Sequence, residues 1–426
     1  MRFSGVTGNR TSWAVILAGL VSLVALACAS EGGEPEDTST PQPSPMATFL
    51  ASTPASSAGE TPEPTATSEP TATPTATSAT PDPDEPDVTL DAKAAELAGI
   101  GDAVSEIREL SAGGEPNVSL VGKERIAEEL AEDLEDPEVL EEIADLEVLF
   151  KLLGLIPEDA SLLEIERKLL EGAVVGLYNH ETGELLVLGG GDDVSVKEEA
   201  VYSHEYAHLL QDVNFDLSEL FESAEDDSER TSALQALVEG EATFVEAVYA
   251  SQRFVPEDLD ELLAVDPADL AALQATPDFL LLAFGWPYTA GFGFANSIWQ
   301  DGGMPALDAV WMDLPETTEQ IIHPEKYRAD EYPEAPPSLP ALADVLDEGW
   351  SVRTEDVLGE AFLSIWLEAL GAEAAVAAQA AAGWGRDGFL LLDGPANESG
   401  LGLLIEWDEP GTDALQFSAA FEGVLD

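Results

Sequence analysis

The chain has 426 residues, 85 of them Asp or Glu against 16 Lys or Arg, for a formal net charge of -69. A surface that negative repels phosphate backbones and excludes nucleic acid as a partner, and a single cysteine excludes an internal disulfide. Hydrophobic residues, at 45%, suffice for a sizeable core.

Residues 1–28 have the layout of an export signal. Arg2 and Arg10 lead an apolar run over 13–27 that is too short for a spanning helix, and small residues precede Cys28. Ala25-Leu26-Ala27-Cys28 resembles a bacterial lipobox, although Ala25 and Leu26 reverse its usual order of large and small residues. The resemblance implies cleavage before Cys28, acylation of its thiol and a membrane partner reached through that anchor. An ordinary secretory signal is the alternative, and both place the protein outside the cytoplasm. Residues 29–87 are Pro-, Thr-, Ser- and Glu-rich, as in Thr61-Pro62-Glu63-Pro64-Thr65. Such chain cannot bury enough apolar surface to offset its entropy and predicts a disordered spacer.

Residues 88–426 predict one folded domain with a helical part over 88–170, a site core over 171–330 and a carboxy-terminal part over 331–426. Apolar spacing predicts helices over 92–107, 123–134, 137–155 and 161–170. Strand-like runs over 172–179 and 184–189 are joined by His180-Glu181-Thr182-Gly183, a hairpin signature in which His180 reads as exposed.

His204-Glu205-Tyr206-Ala207-His208 follows as an HExxH pattern. Ser195 with Glu198 reads as a capping box, and Val201, Leu209 and Leu210 keep helical spacing, so the motif lies in a helix. Residues four apart share a face, so His204 and His208 can offer two ring nitrogens to one zinc ion. Glu205, about a hundred degrees round, is placed as general base for a water that the metal activates. Only 4 histidines occur in the chain, two of them here, which makes coincidence a poor account.

A third ligand is required. The metzincin extension is excluded, because Gln211 and Asn214 stand where Gly and His are needed. A second helix over 232–246 carries Glu239 and Glu241, which point to nearly opposite sides, so only one can reach the metal. Glu239-Gly240-Glu241-Ala242 resembles the Glu-Gly-x-Ala helix of gluzincin peptidases, the group that includes thermolysin-like enzymes. The resemblance implies Glu239 as the third zinc ligand, with Glu241 as fallback. It also implies a mostly helical α+β fold: a zincin-like catalytic core with a small sheet packed on the HExxH helix, whose edge strand receives an extended substrate. The interval from His208 to Glu239 is longer than in thermolysin-like enzymes, and an acidic loop over 222–229 would absorb the difference.

Further helices are predicted over 286–294 and 304–312. Thr317-Thr318-Glu319-Gln320-Ile321-Ile322-His323-Pro324-Glu325-Lys326-Tyr327, with the blocks at 381–387 and 407–417, is similar to a set of bacterial secreted or lipoprotein HExxH proteins. Gluzincins steady the oxyanion with a downstream His or Tyr, which implies His323 or Tyr327; the plainer reading of this stretch is a conformational latch around Pro324. One helix over 361–382 and strands over 388–393 and 401–407 complete the prediction. The whole reads as a monomeric zinc metallopeptidase acting on peptide or protein at the cell surface. Its alternatives are a zinc hydrolase of cell-wall amides and a non-catalytic binding lipoprotein.

Overall fold

In the computed structural model the described residues are 88–426 without 174–175, 189–192, 226, 265–266, 333–336, 338, 340–345, 347 and 426. The expected signal peptide, Cys28 and the spacer lie outside them. Helix α1 (Val88–Arg108) is followed by a short strand, β1 (Asn117–Val121), inside a stretch expected to be helical. Helices α2 (Lys123–Asp133), α3 (Pro137–Leu152) and α4 (Leu162–Ala173) follow. Asp136 caps α3 by accepting from the Glu138 N–H at 2.7 Å, with Pro137 in the first turn, where its missing donor costs nothing.

The expected hairpin is β2 (Gly176–Asn179) and β3 (Glu184–Leu188). Parallel pairing of β1 with β3 completes a sheet of order β1-β3-β2, leaving β2 at an edge. Next comes α5 (Val196–Phe215), which holds the HExxH residues. Its capping box is formed: the Glu198 N–H donates to Ser195 Oγ at 3.3 Å and the Ser195 N–H to Glu198 Oε2 at 2.8 Å. Asp216, in the left-handed region with φ 58°, ends α5 and at once caps α6 (Leu217–Ala224). Most of the acidic stretch read as a loop is therefore either in α6 or at the start of α7 (Ser228–Arg253), which carries Glu239.

Helices α8 (Pro256–Leu262), α9 (Pro267–Ala275), the long α10 (Asp278–Gly302), α11 (Met304–Val310), α12 (Thr318–Ile322) and α13 (Pro324–Arg328) follow. The carboxy-terminal region is β4 (Ser351–Asp356), α14 (Gly359–Ala369), α15 (Ala374–Ala381), β5 (Trp384–Asp393), β6 (Ser399–Trp407) and α16 (Asp413–Leu425). The one helix expected over 361–382 is two, divided near Gly371, whose φ of 110° only glycine adopts freely. Strands β4-β5-β6 form a second, antiparallel sheet, and over the described residues the fold is mostly helical α+β with two sheets of three strands.

The first sheet divides the apolar interior. Because side chains alternate along a strand, Tyr178, Leu185 and Val187 face a core shared with α1, α5, α7 and α10, while Leu177 and Leu186 face a second core built with α3, α14 and β5. Helix α1 therefore packs with the HExxH helix, and is tied to it by a buried ion pair, Lys93 Nζ to Glu198 Oε1 at 2.9 Å. No helix among the described residues is long and apolar enough to cross a membrane.

Glu166 of α4 is 4% exposed and neither carboxylate oxygen has a partner among the described residues. Burial, with the charge of Glu142 behind it, raises its pKa from 4.5 to about 9. The folded chain thus keeps a proton that the unfolded chain releases, so stability falls as pH rises from 4.5 to about 9. At pH 7 the cost is about 3 kcal/mol. Glu166→Gln, neutral in both states, is expected to melt higher than wild type at pH 8 and to lose this slope; equal midpoints at pH 5 and pH 8 in the wild type would refute the assignment.

Candidate metal centre

Helices α5 and α7 cross in the first core and bring the two motifs together. One turn apart on α5, His204 and His208 hold their Nε2 atoms 3.1 Å from each other, and Oε2 of Glu239 lies 3.3 Å from both. A tetrahedral zinc ion with bonds of 2.0–2.1 Å separates its donors by about 3.3–3.4 Å, so the three atoms stand close to the spacing zinc requires. All three side chains are buried.

The remaining ring nitrogens are engaged. His204 Nδ1 donates to Glu246 Oε2 at 3.2 Å, and His208 Nδ1 to Gln211 Oε1 at 2.9 Å. Gln211 is itself oriented, since its amide nitrogen donates to Val238 O at 3.0 Å. Protons held on Nδ1 leave the Nε2 lone pairs for a shared cation. The same negative field also attracts a proton. Burial opposes charge on His204, but hydrogen bonds to Glu239 and Glu246 outweigh it and raise the ring to about 10. Burial likewise opposes charge on Glu239, and His208 and His204 outweigh it and hold the carboxylate down to about 2. A metal must displace that proton, so affinity for metal weakens in acid.

Glu205, 1% exposed, sits beside the triad. Its Oε2 accepts from the Tyr178 N–H at 2.9 Å, while Oε1 is buried with no hydrogen-bond partner among the described residues. Burial pushes its carboxyl above the ordinary range, ahead of the lowering by His208 and His204. This contact depends on Gly176: a Cβ there would stand 2.6 Å from Val201 Cγ1 and 3.2 Å from Glu205 Cγ, so only glycine lets β2 lie so close on α5. A cavity of about 30 Å³ opens beside Glu205, His208 and Glu239, with Leu177, Phe221 and Val238 as apolar walls.

Each residue of Glu239-Gly240-Glu241-Ala242 has its own partner. Glu239 faces the histidines. Glu241, the fallback ligand, points to the far side of α7, where Arg108 Nε donates to Oε1 at 2.6 Å and Trp311 Nε1 to Oε2 at 2.8 Å. Gly240 lies against the backbone of α10 at Gly291, and Ala242 is in the core. Tyr288 of α10 stacks its ring on His204 with centroids 6.0 Å apart, and burial, with the charges of Glu239 and Glu205 beside it, raises its hydroxyl well above the ordinary range. Sequence reasoning missed Tyr288, Gln211 and Glu246. The last two had a signal, because Gln211 is one turn beyond His208 and Glu246 two turns beyond Glu239; Tyr288 had none.

His323 and Tyr327 are not brought to this cluster. His323 Nε2 bonds Glu360 Oε1 at 2.9 Å, and the Tyr327 hydroxyl donates to Asp313 O at 2.7 Å. Their neighbours in sequence do similar work. The Thr318 N–H and hydroxyl both donate to Glu229 Oε1 at 2.7 Å, ten residues along α7 from Glu239 and so about 15 Å away. Thr318 Oγ1 in turn accepts from the Ala361 N–H at 3.1 Å. A second group of acids close enough to hold a cation, Glu319, Glu331 and Asp408, instead encloses the ammonium of Lys326, at 2.5, 3.0 and 2.9 Å. The run over 317–327 thus ties α7 to the carboxy-terminal region through Glu229, Glu360 and Ala361.

A family model described as a domain of unknown function (DUF8575) matches residues 349–426, which include the whole second sheet and α14 to α16. No curated protein and no solved structure matches the chain.

Proposed function

We propose that the protein is a zinc-dependent peptidase of gluzincin type, with a zincin-like core tethered outside the cytoplasm through an acylated Cys28. The observation that carries this reading is the convergence of His204 Nε2, His208 Nε2 and Glu239 Oε2 at 3.1–3.3 Å, beside a Glu205 oxygen with no partner among the described residues. Zinc held by His204, His208 and Glu239 would supply Lewis acidity, polarising a carbonyl and making a water more acidic. Glu205 takes the proton of the attacking water and returns it to the amine that leaves. Because the Tyr178 N–H holds Oε2, Oε1 is the oxygen that moves the proton. Strand β2 runs along the sheet edge beside this carboxylate, where an extended peptide can add as a further strand.

The test is elemental analysis of the full chain, with unfolded casein and peptidoglycan fragments offered side by side. One zinc per chain and peptide products from casein are expected. A chain without tightly bound zinc, or one that cuts peptidoglycan alone, would overturn the proposal.

A further inference from the structure

The fourth histidine, outside both motifs, is His180. It stands on the hairpin turn between β2 and β3 and lines the same cavity as Glu205, His208 and Glu239. It also borders a wider hollow of about 480 Å³, so the residue is common to the lining of both spaces. That position is built rather than incidental. Asn179 Oδ1 accepts from the N–H groups of Glu181 and Thr182, both at 3.0 Å, and the Gly183 N–H closes the turn on Asn179 O at 2.8 Å. The ring packs against Phe221 of α6, with centroids 6.0 Å apart, and Nδ1 lies 2.9 Å from Ser218 Oγ.

The hydrogen bonding selects a tautomer. Were Nδ1–H to donate to Ser218, the serine proton would be left with His180 O, at 3.5 Å the limit of a hydrogen bond. The better arrangement has the serine hydroxyl donating to Nδ1, which puts the ring proton on Nε2. No hydrogen bond among the described residues engages Nε2. Burial lowers the ring's pKa, so it acts as a neutral donor at pH 7.

We propose that His180 is a catalytic residue of the peptidase reading, on which this inference rests, and that its Nε2–H donates to the scissile carbonyl oxygen as that oxygen gains negative charge. Water adds to the carbonyl carbon, its proton passes to Glu205, and the C=O π pair moves to the oxygen that His180 steadies. The pair then returns, the C–N bond breaks, and Glu205 gives the proton to the amine. His180 keeps its proton throughout. A donor that strengthens its bond only as charge develops lowers the barrier without tightening substrate binding. The downstream donors expected from sequence, His323 and Tyr327, are bonded to Glu360 and Asp313 instead.

The experiment compares the full wild-type chain with His180→Ala, His180→Gln and Ser218→Ala. Zinc content, kcat and KM on a peptide identified from the casein digest, and calorimetric affinity for N-phosphoryl-Leu-Phe and for acetohydroxamate are measured. The tetrahedral phosphoryl group mimics the charged oxygen, whereas the planar hydroxamate chelates metal without needing that donor. His180→Ala is expected to keep one zinc per chain, lose about 10²–10³ in kcat with KM nearly unchanged, and bind the phosphoryl peptide about 10²-fold more weakly but acetohydroxamate as before. His180→Gln, which keeps a donor amide, should recover about tenfold of the lost kcat, and Ser218→Ala should lose about tenfold. If His180→Ala stays within twofold of wild type in kcat and phosphoryl affinity, or loses its zinc while His180→Gln recovers nothing, His180 only packs the turn and this proposal fails alone. A wild type with neither zinc nor turnover removes the peptidase reading and this proposal together.

Discussion

Glu205→Gln is expected to retain one zinc per chain and to lose turnover by about 10³, within the range a positioned general base contributes. The substitution is close to isosteric. The amide oxygen it introduces would still accept from the Tyr178 N–H, so the contact that seats the side chain between β2 and α5 is kept. What disappears is the oxygen able to take a proton, since an amide cannot serve as that base. His208→Ala and Glu239→Ala should behave oppositely, losing metal and turnover together, because each removes a donor from a set of three buried atoms. Metal analysis beside turnover on the same preparations separates the roles. Loss of zinc from Glu205→Gln would make Glu205 a ligand, and full zinc in Glu239→Ala would remove the third ligand from Glu239.

The parts of this site legible in the sequence are those governed by one helix at a time. Spacing of four puts His204 and His208 on one face, and the capping box fixes where their helix starts; both depend on residues within a few positions of each other. Choosing between Glu239 and Glu241 is different in kind. Periodicity says only that they diverge, and the choice comes from which side meets α5 and which meets Arg108, far away in sequence. Strand β1 was hidden for the same reason: five residues in a helical neighbourhood become a strand because β3 offers them a parallel partner. Tyr288 reaches His204 only through the packing of α10 in the first core, and no local pattern marks it.

The stretch over 317–327 teaches the converse. Its His, Tyr, Glu and Lys are residue types that serve catalysis, and a zincin resemblance draws attention to them. In the fold they satisfy one another and their neighbours, Lys326 with three carboxylates and His323 with Glu360. Polar residues in a defined order also arise where two units are joined by buried polar contacts, since each such group must find its partner. His180 differs in the opposite sense: read as exposed because it sits on a turn, it is half-buried and lines the cavity.

Gly240→Ala is expected to cost several kcal/mol and to weaken zinc binding, although residue 240 touches no metal. A Cβ on Gly240 would stand 2.0 Å from the carbonyl carbon of Gly291 and 2.3 Å from its Cα, and one on Gly291 would stand 1.9 Å from Ala236 O. These are backbone atoms, which no rotamer change can move aside. Relief requires α7 and α10 to separate by well over an ångström, and both are central to the first core. Glu239 precedes Gly240 on α7, and Tyr288 of α10 stacks on His204, so the separation disturbs the cluster from both sides. The melting midpoint of the zinc-free form should fall by about 5–10 °C, with zinc affinity reduced as well. Gly291→Ala should do the same, and the double variant should cost less than the two singles added, because one separation relieves both overlaps. The discriminating measurement is the melting midpoint with and without excess zinc. Zinc that binds only the folded form stabilises it in proportion to its affinity, so a smaller zinc-induced rise in Gly240→Ala than in wild type locates the damage at Glu239. An equal rise would mean that α7 carries its ligand unmoved and that the close approach at Gly240 is a matter of stability alone.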